Sequence, residues 1–296
     1  MELTVVLVNY KCDENKLQTC LNSIKINTKV IVVDHSHDFT LTNISVPKNL
    51  NIEIIKNENL GNGAGINCGL KNSKTRYVLY LDIDTILPDI FFKTLEESVL
   101  KIKDFAIISP KIHNFYKTRY LNYSGNLSFI KFLYNKFFFN LKLDRSKIEN
   151  IKHVFFVSGS IMFIDKQNTF DVGIKFDENI FLFFEEDEFF HQCFKSNKKI
   201  YLIENLYANH LDGSISNAGI NYERFKKWHW EWSKCYFLNK HYNSFLIFLI
   251  SMKNITKYSI KIIFFLFFNN YKYQLFKARL NGVIGFYLNK KCKIKF

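Results

Sequence analysis

Residues 77–85 read YVLYLDIDT. An uninterrupted apolar run ends on two aspartates, Asp82 and Asp84, placed at i and i+2. In an extended chain, residues two apart point to the same side, so the spacing predicts two like charges side by side at a strand end. They repel one another unless a cation sits beside them, which makes the pair a candidate metal site. Aspartate is also an ordinary resident of turns, and that structural reading stands beside the first.

The surrounding pattern predicts an α/β domain. Short β-branched runs recur at Leu3–Val8, Val30–Val33, Ile52–Ile55 and Tyr77–Leu81. Between the first two, Leu17, Cys20, Leu21 and Ile24 have helical spacing, and a second such stripe follows Pro88: Phe91, Phe92, Leu95, Val99 and Ile102. Near-continuous apolar strands separated by helices point to a parallel sheet covered on both faces. A strand at FAIISP (105–110) comes next, residues 111–150 carry no clear element, and a second block runs from HVFFVSGSIMFI (153–164) to about residue 216.

Composition narrows the function classes. The chain has 296 residues, 48% of them hydrophobic, which supplies a sizeable core and excludes disorder. Lys plus Arg number 41 against 27 Asp plus Glu, a formal charge of +14 that suits an anionic partner. The six cysteines form no CxxC pair, as in a reducing compartment and unlike a disulfide or zinc framework. The N-terminus, MELTVVLVNYK, has an acid at position 2 and a short apolar run, unlike a signal peptide. A cytoplasmic protein is expected.

Residues 57–70, NENLGNGAGINCGL, carry glycines at 61, 63, 65 and 69. Such a cluster lets a phosphate or nucleotide approach the backbone, or it forms a structural loop. The spacing is GxGxG and the first strand lacks glycine, so this is no dinucleotide fingerprint, and without GK[ST] it is no Walker A loop. A third cluster, FDENIFLFFEEDEFF (176–190), sets Glu185, Glu186, Asp187 and Glu188 between aromatic runs. Carboxylates against an apolar wall have raised pKa values, as a general base requires. His210, in YANHLDGSIS (207–216), is a candidate to complete a metal shell.

Taken in order, these motifs resemble glycosyltransferase family 2, the inverting enzymes of GT-A fold, and within it the bacterial rhamnosyltransferase-like branch. The resemblance covers about residues 3–240. It implies a Rossmann-like, mostly parallel sheet flanked by helices, a catalytic domain at 1–216 and a helical C-terminal extension at 217–296. VLVNY (6–10) resembles the strand that meets the nucleotide base, assigning donor contacts to Val8, Asn9 and Tyr10. In VVDHS (32–36), Asp34 takes the place of the residue that contacts uracil or thymine. The Asn/Gly segment adds Asn59, Gly61, Gly65 and Asn67 to the donor side. YLDIDT matches the DxD position, with Asp84 a direct metal ligand and Asp82 beside it and the donor sugar or ribose. His210 matches the late metal-binding histidine, and the cation is Mn2+ or Mg2+.

VSGSIMFI (157–164) is similar to the acceptor-side strand and supplies Gly159. WHWEWSKCYFLNKHY (228–242) is similar to the following aromatic helix and puts Trp230 on the acceptor side, with Glu188. The family has Glu-Asp where this chain has Glu185-Glu186. Aligning the aromatic run places the catalytic base at Glu186; a slide of one residue places it at Asp187. The implied reaction moves a sugar from a UDP- or dTDP-sugar to a hydroxyl of a glycan or lipid-linked acceptor, as in assembly of lipopolysaccharide or another cell-surface polysaccharide. A nucleotidyltransferase-like enzyme and a non-catalytic relative are the alternatives. Nucleic acid is not an expected partner, because acidic clusters repel its phosphates.

The tail, residues 217–296, is aromatic and basic. Lys253, Asn254, Lys257 and Lys261 interrupt its apolar runs, and a spanning helix needs about twenty apolar residues. Amphipathic helices lying on the inner face of the membrane are expected, with packing on the protein's own core as the alternative.

Overall fold

The computed structural model describes residues 1–102, 104–114, 117–121, 150–211 and 219–290. Most of the unassigned stretch 111–150, and the domain boundary expected after residue 216, lie outside them. The expected strands form β1 (Leu3–Asn9), β2 (Thr28–Asp34), β3 (Leu50–Lys56) and β4 (Tyr77–Leu81). Helix α1 (Glu14–Ser23) starts at Asp13, whose side chain accepts from the Asn15 and Lys16 N–H groups and so caps two otherwise unpaired donors. Helix α2 (Asn62–Asn72) contains most of the glycine stretch, and α3 (Phe91–Lys101) follows Pro88. Then come β5 (Thr85–Ile86, ahead of α3), β6 (Ile107–Asn114), β7 (Lys117–Leu121), β8 (Ile151–Val154), β9 (Ile161–Asp165), α4 (Glu185–Lys195) and β10 (Ile200–His210).

One sheet has the order β3-β2-β1-β4-β9-β6-β10-β5, with β7 on β6 and β8 on β10. Pairing is parallel across β3-β2-β1-β4 and between β6 and β10. Strand β9 enters antiparallel between β4 and β6, and β5, β7 and β8 also pair antiparallel. Side-chain alternation divides the core into two layers. Val5 and Leu7, Val30 and Val32, and Leu79 and Leu81 pack with Leu17 and Leu21 of α1 and Phe91 and Leu95 of α3. Val6, Ile31, Val33, Val78 and Tyr80 pack with Ile66 and Leu70 of α2 and Phe189 and Phe190 of α4.

By their contacts, the described residues fall into two compact units. One takes in Met1–Asn59, Gly65–Phe176 and Phe189–Ile215; the other takes in Leu60–Ala64, Asp177–Glu188 and Ser216–Phe296. The second is built on α5 (Ile220–His241), α6 (Ser244–Phe268) and α7 (Asn270–Tyr287). Asn243 and Asn269 break this helical run because their side chains cap the first turns of α6 and α7. Cys235, Tyr258 and Val283 form the small core of the three helices. Most of the apolar side chains of α6 stay outside it: only Ile247, Ser251 and Tyr258 of that helix are buried. Among the described residues, no helix is long and apolar enough to cross a membrane.

Helix α2 sits close on β1 because its inner face is glycine. A Cβ on Gly69 would lie 2.3 Å from Val6 Cγ1, and one on Gly65 2.7 Å from Val8 Cγ1. Gly69→Ala is expected to lower the urea midpoint by an overpacking penalty of about 1–3 kcal/mol. An unchanged midpoint would mean that α2 does not need this close approach.

Candidate active site

The apolar run ends at Leu81, and Asp82–Thr85 is a turn and not a continuation of the strand. The Thr85 N–H donates to Asp82 O at 2.9 Å. The same-side placement expected of a strand is therefore replaced by a turn, which brings the two carboxylates together by folding the chain back. Two bonds from distant segments hold it: Asp82 N–H to Ser160 O at 2.8 Å and Leu211 N–H to Asp84 O at 2.9 Å. Because β10 pairs with β5 through His210 and Thr85, His210 arrives beside both acids.

His210 Nε2 lies 3.0 Å from Asp84 Oδ1 and 3.4 Å from Asp82 Oδ2. Asp84 is buried, Asp82 is partly open, and the Tyr80 hydroxyl donates to Asp82 Oδ1 at 2.6 Å. Burial works against a charged imidazole, but hydrogen bonds and charge from Asp82 and Asp84 prevail and push the His210 pKa up to about 10. The imidazolium thus balances the charge of the pair. One ligand atom from each residue lies within 4.8 Å of the others. Neighbouring ligands of an octahedral cation with bonds of about 2.1 Å stand about 3 Å apart, so two carboxylates and an imidazole fit Mn2+ or Mg2+ with positions left for other oxygens.

On the same unit, Asp34 closes β2 as a fully buried anion. Its Oδ1 accepts from Asn9 Nδ2 at 2.8 Å, the Ser36 N–H at 3.0 Å and the Ser36 hydroxyl at 2.6 Å; Oδ2 accepts from the Phe39 N–H at 3.2 Å. Burial favours the neutral acid, yet these donors outweigh it and hold the pKa below the ordinary range. Val8 and Tyr10 flank Asn9 and are half-buried, as is Asn59. Gly159 precedes Ser160 in the loop that receives Asp82. Asn67, expected on the donor side, donates from its amide to Phe176 O at 2.9 Å and accepts from the Phe176 N–H at 3.1 Å. Buried and bonded at both amide atoms, it ties α2 to the segment around Phe176.

In the second unit, Gly61 has a φ of +107°, and a Cβ there would stand 2.2 Å from Phe181 O. Only glycine fits that position. The four acids form the first turn of α4, where negative charge is favoured by the helix dipole, but their surroundings differ. Glu185 is buried, and burial together with the charge of Glu186 raises its pKa well above the carboxylate range. It shares a hydrogen bond with Glu186, which is half-buried. Burial and the charge of Glu186 push the pKa of Asp187 up to about 7.

Glu188 is the residue expected on the acceptor side. It is fully buried, and it bonds Lys240 at 2.8 Å and His241 on α5. Burial alone would raise its pKa, but these two partners lower it. It is a strut to α5. Trp230 packs its ring on Phe183 and Phe184 at 5.2 and 5.3 Å, directly ahead of the acidic turn.

The model of glycosyl transferase family 2 matches residues 4–166, more than half of the chain. The chain belongs to glycosyl transferase family 2. No curated protein sequence matches it. Among solved structures, S. aureus TarS 1-349 is similar at 14% identity with a TM-score of 0.52, over 99% of this chain and 93% of that one. TarS 1-349 in complex with UDP is similar at 14% identity and a TM-score of 0.51, over 100% and 94% of the two chains. Against the longer S. aureus TarS chain the identity is 16% and the TM-score 0.51, over 81% of this chain and 43% of that one. At these identities the likeness is one of fold: a mixed α/β sheet flanked by helices, with a helical C-terminal region.

Within this family 2 chain, sequence reasoning found Asp82, Asp84 and His210, which the fold brings together. It missed Tyr80 and Ser160, which orient Asp82. It also missed Lys240 and His241, which neutralise Glu188. Tyr80 stands two residues ahead of Asp82 and could have been found by spacing. Lys240 and His241 are 52 and 53 residues from Glu188, and nothing local marks them.

The raised Asp187 pKa has a stability consequence. The folded chain holds this proton up to about pH 7, whereas an unfolded aspartate releases it near about pH 4. The group's contribution is fully present below about pH 4 and is lost as pH rises through about 7. Wild type is expected to lose stability relative to Asp187→Asn across that window, by up to about 1.4 kcal/mol per pH unit. Urea titrations that run parallel for the two proteins would refute the shift.

Proposed function

We propose that the chain is a metal-dependent, inverting glycosyltransferase. It moves a sugar from a UDP- or dTDP-sugar to a hydroxyl of a glycan or lipid-linked acceptor, in cell-surface polysaccharide assembly such as that of lipopolysaccharide. The observation that carries this reading is the Asp82–Asp84–His210 cluster in a chain of this family. The complexes of TarS with UDP and with UDP-GlcNAc favour a nucleotide-sugar donor, and the rhamnosyltransferase-like motifs extend the choice to dTDP-sugars. Residues 1–216 are read as the catalytic domain. The exposed apolar residues and lysines of α6 favour residues 217–296 as the part that rests on the cytoplasmic face of a membrane.

A divalent cation held by Asp82, Asp84 and His210 would neutralise the charge collecting on the departing diphosphate. Asp34 and Asn9, with Val8 and Tyr10, hold the nucleotide base; Gly61, Gly65 and Asn59 belong to the same donor side. Glu186 takes the proton of the acceptor hydroxyl as that oxygen bonds to the anomeric carbon. The bond from that carbon to the diphosphate oxygen breaks, its electron pair leaves with the nucleoside diphosphate, and the configuration inverts. Glu185 keeps its own proton and donates it in a hydrogen bond to Glu186, which holds Glu186 oriented. Gly159 and Trp230 stay on the acceptor side.

Two measurements test this. In thermal-shift assays, UDP or dTDP with Mn2+ raises the melting temperature of the wild type by mass action, and Asp84→Ala loses the metal-dependent part. No shift with any nucleotide in a folded preparation would refute the reading. In transfer assays Glu186→Gln lowers kcat by about a hundredfold or more while keeping the nucleotide shift, and Asp187→Asn falls by less. The opposite order would move the base to Asp187.

A further inference from the structure

Helices α6 and α7, with one residue of α5, line a cavity of about 770 Å3. Five cations reach its wall: Lys227 from α5, Lys257 and Lys261 from α6, and Lys272 and Arg279 from α7. Among the described residues no carboxylate lines it. The Lys261 ammonium lies 4.6 Å from the Phe276 ring centroid, and the Lys272 ammonium 5.2 Å from that of Phe265. These rings hold the two charges in place by cation–π attraction. Two acids act on Lys227 from α5: Glu223 pairs with Lys226, and Glu231 is buried and already serves both Arg279 and Lys234 while accepting from the Tyr258 hydroxyl. The cavity therefore has a surplus of positive charge. Lys227 registers it: burial and then the charge of Arg279 lower its pKa.

Beside these cations, α6 exposes a ridge of bulky apolar side chains. Ile260, Ile263 and Phe264 are more than half exposed, Phe267 is 78% exposed and Phe268 is 74% exposed. A contiguous apolar surface of this kind marks a docking site. Fixed cations next to it match a ligand that is anionic at one end and hydrocarbon at the other. A free phosphate would use the cations and leave the ridge without purpose, and aliphatic Ile260 and Ile263 suit chains better than stacked bases.

We propose that this cavity binds the phosphate head of an anionic lipid, with the lipid chains lying along the exposed ridge of α6. The inference rests on the membrane-surface part of the reading above and is independent of its transfer chemistry.

The test is sedimentation of the full chain with phosphatidylcholine vesicles, with and without added phosphatidic acid. Wild type is expected to bind the acidic vesicles roughly tenfold or more tightly. The triple variant Lys257→Gln, Lys261→Gln, Lys272→Gln loses that preference. A triple Lys25→Gln, Lys71→Gln, Lys93→Gln, which removes the same charge from exposed sites elsewhere, keeps it; equal losses in the two triples would overturn the proposal. So would binding of inorganic phosphate without vesicle preference, or tighter binding of a single-stranded oligonucleotide than of acidic vesicles. UDP and Mn2+ thermal shifts on the same preparations report the transferase reading separately. No preference of the wild type for acidic vesicles, with its shift intact, refutes only the lipid site.

Discussion

Two backbone hydrogen bonds decide where the paired aspartates sit: Asp82 N–H to Ser160 O, and Leu211 N–H to Asp84 O. Together they tie the end of β4 to the start of β9 and the end of β10, three segments far apart in sequence. The Asp82–Thr85 turn has no freedom to splay once both are made. Asp84 is then buried beside a second carboxylate, a placement that is costly unless a positive group compensates. His210 meets that need with an imidazolium, and once its Nε2 proton is released to solvent the same three side chains suit a divalent ion. Pinning the turn thus creates an electrostatic demand that a cation answers.

The acidic turn of α4 shows how neighbours separate chemically similar groups. Four successive carboxylates share one helix start and one dipole, yet they do not share a state. Glu188 is anionic because Lys240 and His241 reach it. Glu185 is driven toward its neutral form, since burial and Glu186 both act against its charge and its Oε2 has no partner among the described residues. Asp187 lies between these extremes. A neutral acid beside an ionised one is the arrangement by which two carboxyls divide donor and acceptor roles. Glu186 is the member left in contact with a protonated neighbour.

Much of the fold was legible in the sequence because burial on both faces of the sheet leaves an unmistakable pattern. Val5, Val6 and Leu7 are all buried, on alternating faces, and the same holds for Val30 to Val33. The aspartate pair and His210 were legible because few residue types can hold a metal. The turn was not, because YLDIDT continues an extended pattern and only the partners Ser160 and Leu211 end it. The ion pairs of Glu188 were not legible for a related reason: Lys240 and His241 lie more than fifty residues away. The two bonds of Asn67 to Phe176 were not legible either, because they depend on a residue 109 positions away.

Backbone strain adds a further constraint on the acidic turn. Phe183 and Phe184 have φ values of 63° and 67°, a left-handed conformation that costs a bulky residue roughly 1–2 kcal/mol. Such strain persists only where the surroundings over-determine the chain. Here they do: Phe181 stacks on His229 at 5.0 Å, the Ser233 hydroxyl donates to Leu182 O at 2.8 Å, and Trp230 packs on both strained rings. Each contact comes from α5, the helix that also neutralises Glu188. One helix therefore both forces the sharp entry into α4 and fixes its first turn, so the carboxylates at that turn are held by the backbone path as much as by their own side-chain bonds.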